Sequence, residues 1–304
     1  MTRLLAVELR RFLWRRSFRL FGAVVLAGIA LATVLVFLWS EPNSRGSAEP
    51  GYQQALRDCI GFYESTDGAE HIPPGFESAE EACLAEVPVE AFDHIFRLTT
   101  LEEIFRGTSV PLIILGLALG ASFIGAEWHS GTITTLLTWE PRRTRVMAGK
   151  ALVAMTGVFL SAAALQAILG LALWPVAELR GSVEGANAAW FADVVAVVAR
   201  GALIAGLAAA IGFALASTAR NTTTALIIGF MYFAVVEGLL RGFRPKWQPW
   251  LIGDNAAAFV SGEPASVFSL GNSHGVLVAL LVVAAYAFGL VVLATFAFRA
   301  RDVT

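Results

Sequence analysis

The chain has 304 residues, of which 57% are hydrophobic and 15% charged, and its mean hydropathy is +0.67. A soluble domain carries roughly 25% charged residues, so this composition excludes an ordinary water-soluble protein. The net charge is only −2, but the apolar residues form long runs and the charges are sorted by region. We therefore expect an all-α polytopic membrane protein.

Residues 1–19 are basic and amphipathic. Leu5, Leu9, Phe12 and Leu13 recur at helical spacing and give a continuous apolar stripe, which predicts a helix lying in the membrane interface. A solvated basic tail is the alternative. The apolar run at 20–39 is longer than a signal-peptide core and no small-residue cleavage pattern follows it, so we predict an uncleaved first span.

Six segments are apolar and close to the ~20 residues that a membrane-spanning helix needs. They are 20–39, 108–126, 151–174, 201–217, 222–240 and 275–298. The fourth and fifth are so close in sequence that they must form an antiparallel hairpin. Residues 20–304 are thus predicted to be one six-helix transmembrane domain.

The arginines predict the orientation. If the N-terminus is cytoplasmic, the inner segments hold 13 of the 22 Lys and Arg and only four acids, while the remaining segments are strongly acidic. Lys and Arg near span ends favour the cytoplasmic side. We predict two cytoplasmic termini and a bacterial cytoplasmic (inner) membrane location.

Two segments lie outside in this topology. Residues 40–107 hold 14 acids and both cysteines, which predicts a small extracytoplasmic helical segment closed by a Cys59–Cys83 disulfide; two free thiols are the alternative. Residues 241–274 are rich in Trp and Phe and are predicted to return toward the membrane as short helices, or else to form a plain folded loop.

Charged groups at membrane depth are few. Glu237 in the fifth span and Arg200 at the outer end of the fourth both fall in the outer leaflet, at ~1.5 Å per helical residue. A buried charge there requires a partner. We predict an intramembrane Arg200–Glu237 pair that clamps the hairpin; a role in substrate passage and simple snorkelling are the alternatives.

Sequence motifs for catalysis are missing. Gly149-Lys150 is followed by alanine and lacks the preceding glycine of a phosphate-binding loop, so the chain does not hydrolyse nucleotide by that motif. The four histidines have no metal-ligand spacing, and the spans hold no acid–base pair. We expect no catalytic residue, no metal site and no cofactor in this chain.

The segment 125–145 is too polar to span and too amphipathic to be a mere connector. Trp128, Ile133, Leu136 and Leu137 approximate one helical face, and Pro141 is predicted to stop the helix. An interfacial helix without a protein partner is the alternative. An acid, then Ser-Gly-Thr, Leu-Leu and a Pro-Arg ending follow in order here: Glu127, Ser130, Gly131, Thr132, Leu136, Leu137, Pro141, Arg142, Arg143 and Arg145.

This pattern, together with the basic N-terminal helix and six spans, resembles the type-2 ABC exporter permeases. The resemblance implies that 125–145 is a coupling helix docking on separate cytosolic ABC ATPase subunits, which bind the ATP and Mg²⁺. The residues it assigns to coupling are Glu127, Trp128, Ser130, Gly131, Thr132, Leu136, Leu137 and Glu140. The acidic segment 40–107 is longer than the family's usual first outer loop.

The resemblance also implies a dimer with a second permease, identical or related, around a cavity lined by the second and fifth spans. The predicted function is export of a hydrophobic or amphipathic substrate, with the lipid bilayer and the ATPases as partners and no nucleic acid. A membrane signalling or assembly protein that uses 40–107 as a sensor is the alternative.

Overall fold

The computed structural model describes residues 2–41, 50–65, 76, 78–88, 94–139, 142–263 and 275–300. Its α-helices in chain order are α1 (Thr2–Leu13), α2 (Arg16–Trp39), α3 (Pro50–Glu64), α4 (Ala79–Glu86), α5 (Leu101–His129), α6 (Thr132–Trp139), α7 (Arg143–Arg180), α8 (Ala188–Ala219), α9 (Thr222–Met231), α10 (Glu237–Phe243), α11 (Ile252–Ser261) and α12 (Val276–Ala300). Short 3₁₀ turns precede α5 and α11, and a π-helical turn, Tyr232–Val236, joins α9 to α10.

Six helices of the described part are long and apolar enough to cross a membrane. The prediction of an all-α polytopic membrane protein is confirmed. Each predicted span lies almost wholly inside one of these helices, but three helices are much longer than predicted: Leu98–His129, Arg143–Arg180 and Ala188–Ala219. The apolar run in the sequence marks only the part of a helix that faces lipid. Charged residues are also compatible with a helix, so the helix extends past the end of the apolar run.

The chain divides into two compact units, with the boundary inside α2 and α7. The spanning unit consists of Met1–Ile29, Leu101–Gly170 and Asn187–Thr304; the disulfide unit consists of Ala30–Thr100 and Leu171–Ala186. Within the spanning unit we call N-face the end that carries α1, the α5–α6–α7 connection, the α8–α9 turn and the end of α12.

Helix α8 is the centre of the spanning unit and packs against α5 through small residues. A Cβ on Gly116, Gly120 or Gly212 would overlap a backbone carbonyl of the facing helix, belonging to Ala205, Ala209 and Leu117 respectively. Such close backbone approach is the expected use of small residues in membrane helices. The Gly116-x-x-x-Gly120 spacing therefore serves helix packing.

The predicted hairpin between the fourth and fifth spans is confirmed. Helix α8 ends in Arg220, whose φ of 54° is left-handed, and Asn221 caps α9 by accepting hydrogen bonds from the backbone N–H groups of Thr223 at 2.7 Å and Thr224 at 3.3 Å. Arg220 ends one helix and Asn221 begins the next, which allows a reversal of two residues.

The loop predicted at 241–274 is helical where it is described. A 3₁₀ segment, Pro245–Trp250, leads into α11, whose Ile252, Ala256 and Phe259 are buried in a cluster with residues of α8 and α12. Trp247 and Trp250 remain exposed, as expected for tryptophans at a membrane interface.

In the disulfide unit, Cys59 of α3 and Cys83 of α4 form the predicted bond, with Cα atoms 5.9 Å apart. The Tyr63 hydroxyl donates to the Glu86 carboxylate at 3.0 Å, and this hydrogen bond raises the pKa of Tyr63 above its ordinary value. Elsewhere in the unit the buried Ser40 hydroxyl donates to the carbonyl of Arg180 at 2.5 Å, which ties the ends of α2 and α7 together.

Candidate coupling site at the N-face

The predicted coupling segment is not one helix but includes the end of α5, all of α6 and the start of α7. Residues 125–129 are the last turn of α5, and 143–145 already belong to α7. Between α5 and α6 the chain reverses at Gly131, whose φ of 68° suits glycine because a Cβ is disfavoured in that region. This corrects the single helix expected from the apolar pattern.

The short helix α6 has one buried anchor and an exposed polar side. Ile133 is 1% exposed and packs in the main core cluster of the spanning unit. Thr132, Thr135 and Thr138 recur at i, i+3 and i+6 and are exposed, as are Ser130 and Gly131. We call these five residues the loop face. Leu136 and Leu137 belong to α6 but their side chains fall outside the described part, as does all of Glu140.

Glu127 does not belong to this exposed surface. It is 8% exposed and its Oε1 accepts a hydrogen bond from Lys150 Nζ of α7 at 2.9 Å. The same ammonium donates to Glu8 Oε2 of α1 at 2.7 Å, and Lys150 and Glu8 are 1% and 2% exposed. One buried lysine therefore bridges carboxylates of two other helices, a cluster we call the Lys150 bridge (Glu8, Glu127 and Lys150).

Arg15 completes the charge balance of the Lys150 bridge. Its Nη2 donates to Glu127 Oε1 at 3.0 Å, its Nη1 donates to the carbonyl oxygen of Ser122 at 3.1 Å, and its guanidinium lies 4.7 Å from the Phe123 ring centroid. Burial lowers the pKa of Arg15 below its ordinary value, and the Glu127 carboxylate opposes that shift. Arginine stays charged at neutral pH, so Lys150 and Arg15 face the two carboxylates, and the more exposed Arg11 lies 3.4 Å from Glu8 as a third cation.

Trp128, the next residue, points to different partners. Its ring meets Phe298 of α12 edge-on at a centroid distance of 5.8 Å, and the Arg220 guanidinium lies 4.7 Å over it. A Cβ on Gly125 would overlap Thr222 at the start of α9. The end of α5 thus contacts α7 and the α1–α2 connection through Glu127, and α12 and the α8–α9 turn through Trp128. We call Glu127 and Trp128 the α5 anchor.

The sequence of this chain was compared with protein-family models, with curated proteins and with solved structures. The family described as ABC-2 family transporter protein matches residues 3–247, from α1 through α10. The chain belongs to this family. The match includes the loop face, the α5 anchor and the Lys150 bridge. A search of curated proteins and a search of solved structures each gave no match.

The resemblance to ABC-2 permeases is therefore confirmed at the level of the family, whose members are the membrane subunits of ABC transporters. Of the residues assigned to coupling, the structure exposes Ser130, Gly131 and Thr132, and buries Glu127. In the described part of this ABC-2 protein no three His, Cys, Asp or Glu side chains are grouped as metal ligands.

Sequence reasoning missed Glu8, Arg15, Lys150 and Arg220. Two signals were available: Glu8 is the only acid in the first 40 residues, and Lys150 is one of only two lysines in the chain. Both were counted toward orientation, and Lys150 was also considered as part of a phosphate-binding loop, but neither was assigned a partner. The one acid of the basic N-terminal helix and the one lysine near the N-face were therefore candidates for an ion pair.

The predicted Arg200–Glu237 pair is replaced by a different cluster. Glu237, 1% exposed, accepts from Arg241 Nη2 at 3.0 Å and from the backbone N–H of Gly253 at 2.8 Å. Arg241 also donates to Asp254 Oδ1 at 3.0 Å. Arg241 follows Glu237 by one helical turn, a spacing that brings the side chains together. This cluster fastens α11 to α10 in the ABC-2 protein.

Arg200 has other surroundings. Its guanidinium lies against the backbone of Gly262 at the end of α11, where a Cβ would overlap it. The clamp of the hairpin predicted from Arg200 and Glu237 thus becomes two separate contacts with α11, one from α8 and one from α10. Both contacts hold α11, and neither joins α8 directly to α10.

Proposed function

We propose that the chain is the permease subunit of an ATP-driven exporter, coupled to separate ATPase subunits through the loop face. Family membership gives the membrane subunit of an ABC transporter. The observation that carries the finer proposal is the joining of an exposed loop face to a buried α5 anchor. The anchor in turn contacts the α1–α2 connection, α7, the α8–α9 turn and α12.

The orientation follows from charge. Arg142, Arg143, Arg145 and Arg220 lie at the N-face with the arginines of α1 and α2. The excess of Arg on this face supports a cytoplasmic N-face with both termini inside, in a bacterial inner membrane. The loop face is then accessible to cytosolic ATPases, which bind ATP and Mg²⁺.

The α5 anchor supplies a route for mechanical coupling. A displacement of α6 moves the end of α5. The Lys150 bridge holds α1 and α7 to α5, because separating the helices would leave buried carboxylates without a partner. The displacement is therefore transmitted to α1 and α7. Trp128 conveys the same displacement to α12 and the α8–α9 turn. In this proposal Glu127 acts as a positioning residue, while Ser130, Gly131 and Thr132 contact the ATPase.

The transport cycle requires a second permease copy, identical or related, and a hydrophobic or amphipathic substrate moves outward between the two. The extensive exposed apolar surface of α2, α9 and α12 supports contacts with lipid and with that second copy. The segment 40–107 lies outside the membrane in this topology and either covers the exit route, recruits an outer partner or stabilises the dimer.

Gly131→Ala tests the coupling proposal. Nothing lies within 4 Å of a Cβ built there, so the substitution strains only the left-handed turn, by roughly 1–2 kcal/mol. We expect normal insertion, but weaker co-purification of the ATPase and loss of transport. Gly289→Ala is the matched control, since it too meets nothing within 4 Å and lies in helix α12.

The experiment uses tagged protein expressed with its neighbouring genes, purified in mild detergent and then reconstituted with the ATPase it retains. If the unaltered chain retains no ATPase, the exporter proposal fails. If Gly131→Ala retains and stimulates the ATPase as well as Gly289→Ala does, the loop face is not the coupling surface.

A further inference from the structure

An apolar groove runs along the spanning unit beside the first span. Each of three helices lines it with four residues at i, i+3, i+4 and i+7, beginning at Phe18 of α2, Leu112 of α5 and Val158 of α7. All lining side chains are apolar except Ser161, whose hydroxyl donates to the backbone carbonyl of Gly157. The side chains that line the groove therefore offer no free hydrogen-bond donor to a polar ligand.

The groove follows α2 from Phe18 to Val25, about 10 Å at ~1.5 Å per residue. This stretch begins within one turn of the N-terminus of α2. In a hydrocarbon layer ~30 Å thick it lies within the leaflet on the N-face side. Because helices line it on three sides, the space suits a flexible chain and not a second helix of ~10–12 Å diameter.

The end of the groove at the N-face is polar and basic. Beyond Phe18, the hydroxyls of Ser17 and Ser122 lie 3.4 Å apart, and Arg15 reaches across to the carbonyl of Ser122. Arg16 and Arg19 are exposed on the first turn of α2. This end of the groove is thus bounded by Ser17, Ser122 and Arg15, and Arg16 and Arg19 lie on the same turn of α2 within side-chain reach of a bound headgroup, a charge that matches an anionic phospholipid.

Trp14 indicates the depth of this end. It lies at the break between α1 and α2, is 66% exposed, and has the Arg19 guanidinium 5.9 Å from its ring. Exposed tryptophans concentrate at the headgroup level of a bilayer. The arginines beside Trp14 are therefore at the depth of lipid phosphates. The groove-lining residues of α2 begin at Phe18 and continue deeper into the membrane, to Val25.

We propose that this groove binds one acyl chain of an anionic phospholipid whose phosphate contacts Arg16 and Arg19. The lipid fills the space between the first span and helices α5 and α7. Lipid tails are as apolar as the groove, so the tail gives fit but little selectivity. Selectivity comes from the arginines, each worth ~1 kcal/mol toward an anionic surface.

Gly22 offers a test of the tail. It lines the groove, and a Cβ built there meets nothing within 4 Å, so Gly22→Phe should fill the groove without disturbing the fold. Gly28→Phe is the matched control: it is on the same helix with equally open space and does not line the groove. Native mass spectrometry of each purified protein reports both the retained lipid and the oligomeric state.

We expect phospholipid retained by the unaltered chain and by Gly28→Phe, and lost from Gly22→Phe at an unchanged oligomeric state. Equal retention by Gly22→Phe and Gly28→Phe would overturn the proposal. So would a change of oligomeric state in Gly22→Phe with the lipid retained, because the groove would then be filled by a second copy. Neither measurement depends on an ATPase or on transport.

The headgroup is tested in nanodiscs with phosphatidylglycerol or phosphatidylcholine carrying a photoreactive acyl chain. Removing two arginine charges, in Arg16→Gln with Arg19→Gln, should lower the labelling preference for phosphatidylglycerol about thirtyfold. The control Arg142→Gln with Arg299→Gln removes two exposed N-face charges away from the groove. Equal effects of the two double variants would leave only a general surface attraction and refute the site.

Discussion

Replacing Lys150 by methionine should destabilise the protein strongly. The change removes the ammonium that donates to Glu8 at 2.7 Å and to Glu127 at 2.9 Å, and leaves both carboxylates buried. Glu127 keeps Arg15 at 3.0 Å, and Glu8 keeps only Arg11 at 3.4 Å, whose side chain is 56% exposed. Removing one partner of a buried ion pair costs ~3–5 kcal/mol.

That cost is measurable as a shift in apparent melting temperature. For chains of ~150–250 residues 1 kcal/mol corresponds to about 2–4 °C, so we expect Lys150→Met to melt about 6–20 °C lower. Tryptophan fluorescence in one detergent at one scan rate is a suitable assay, since membrane proteins often unfold irreversibly. Lys246→Met, an exposed site and the only other lysine, should change the melting temperature little.

A neutral triad separates lost charge balance from lost packing. Glu8→Gln, Lys150→Met and Glu127→Gln together remove all three charges of the Lys150 bridge, and such replacements are often neutral or stabilising. Arg15 loses the carboxylate of Glu127, but it keeps the carbonyl oxygen of Ser122 as an acceptor and can still donate to the amide oxygen introduced at position 127. We expect the triple variant to recover most of the stability lost in Lys150→Met. The reasoning is refuted if Lys150→Met melts with the unaltered protein, or if the triple variant melts no higher than the single one.

Three further predictions concern other parts of the chain. Arg241→Met should destabilise by roughly 1.5–3 kcal/mol and increase hydrogen exchange in α11, because Glu237 and Asp254 lose a shared charged donor; Glu237→Gln, which keeps an acceptor for Gly253, should do less, and the reverse order contradicts the assignment. Cys59→Ser with Cys83→Ser opens a loop of sequence separation 24, which should cost the disulfide unit ~3–4 kcal/mol; faster hydrogen exchange should appear in α3 and α4 and not in α8. Gly120→Ala places a Cβ against the backbone of Ala209 and should cost ~1–3 kcal/mol, measured by melting against Gly289→Ala; equal melting of the two variants would contradict the close α5–α8 contact.

The spans and the disulfide could be predicted because their signals are local. A run of ~20 apolar residues requires a lipid environment whatever it packs against, and two cysteines in one acidic outer segment have only each other as partners in this chain. The close contact of α5 with α8 also has a local signal, because small residues such as Gly116, Gly120 and Gly212 recur on the two helices. Helix ends were not, because charged residues such as Glu102 and Arg143 continue a helix beyond the lipid.

The site was only half predictable. Glu127 was identified as important, but sequence does not say which way a charged side chain at a helix end points. Its partner Lys150 is 23 residues away and the third member, Glu8, lies 142 residues from Lys150. Such a contact depends on the tertiary arrangement of three helices. The pairing of Glu237 was chosen by membrane depth, while the nearer Arg241 carried the more informative i, i+4 spacing.

The Lys150 bridge is a poor way to gain stability, since burying three charges costs more than packing apolar side chains of similar size. Its distinguishing property is that it is satisfied in one arrangement of α1, α5 and α7 only. If any of these helices shifts, a buried charge loses its partner without gaining water, which costs free energy. A shift between two apolar surfaces costs little. In the proposed coupling, force acts on the loop face and displaces the end of α5. The Lys150 bridge then moves α1 and α7 together with α5, whereas apolar side chains alone would repack and absorb the displacement.

We therefore expect the neutral triad, with its stability restored, to couple ATP hydrolysis to transport less tightly than the charged cluster does. Equal transport per ATP hydrolysed in the two proteins would reduce the Lys150 bridge to a fold-stabilising contact and leave Trp128 as the link to the spans.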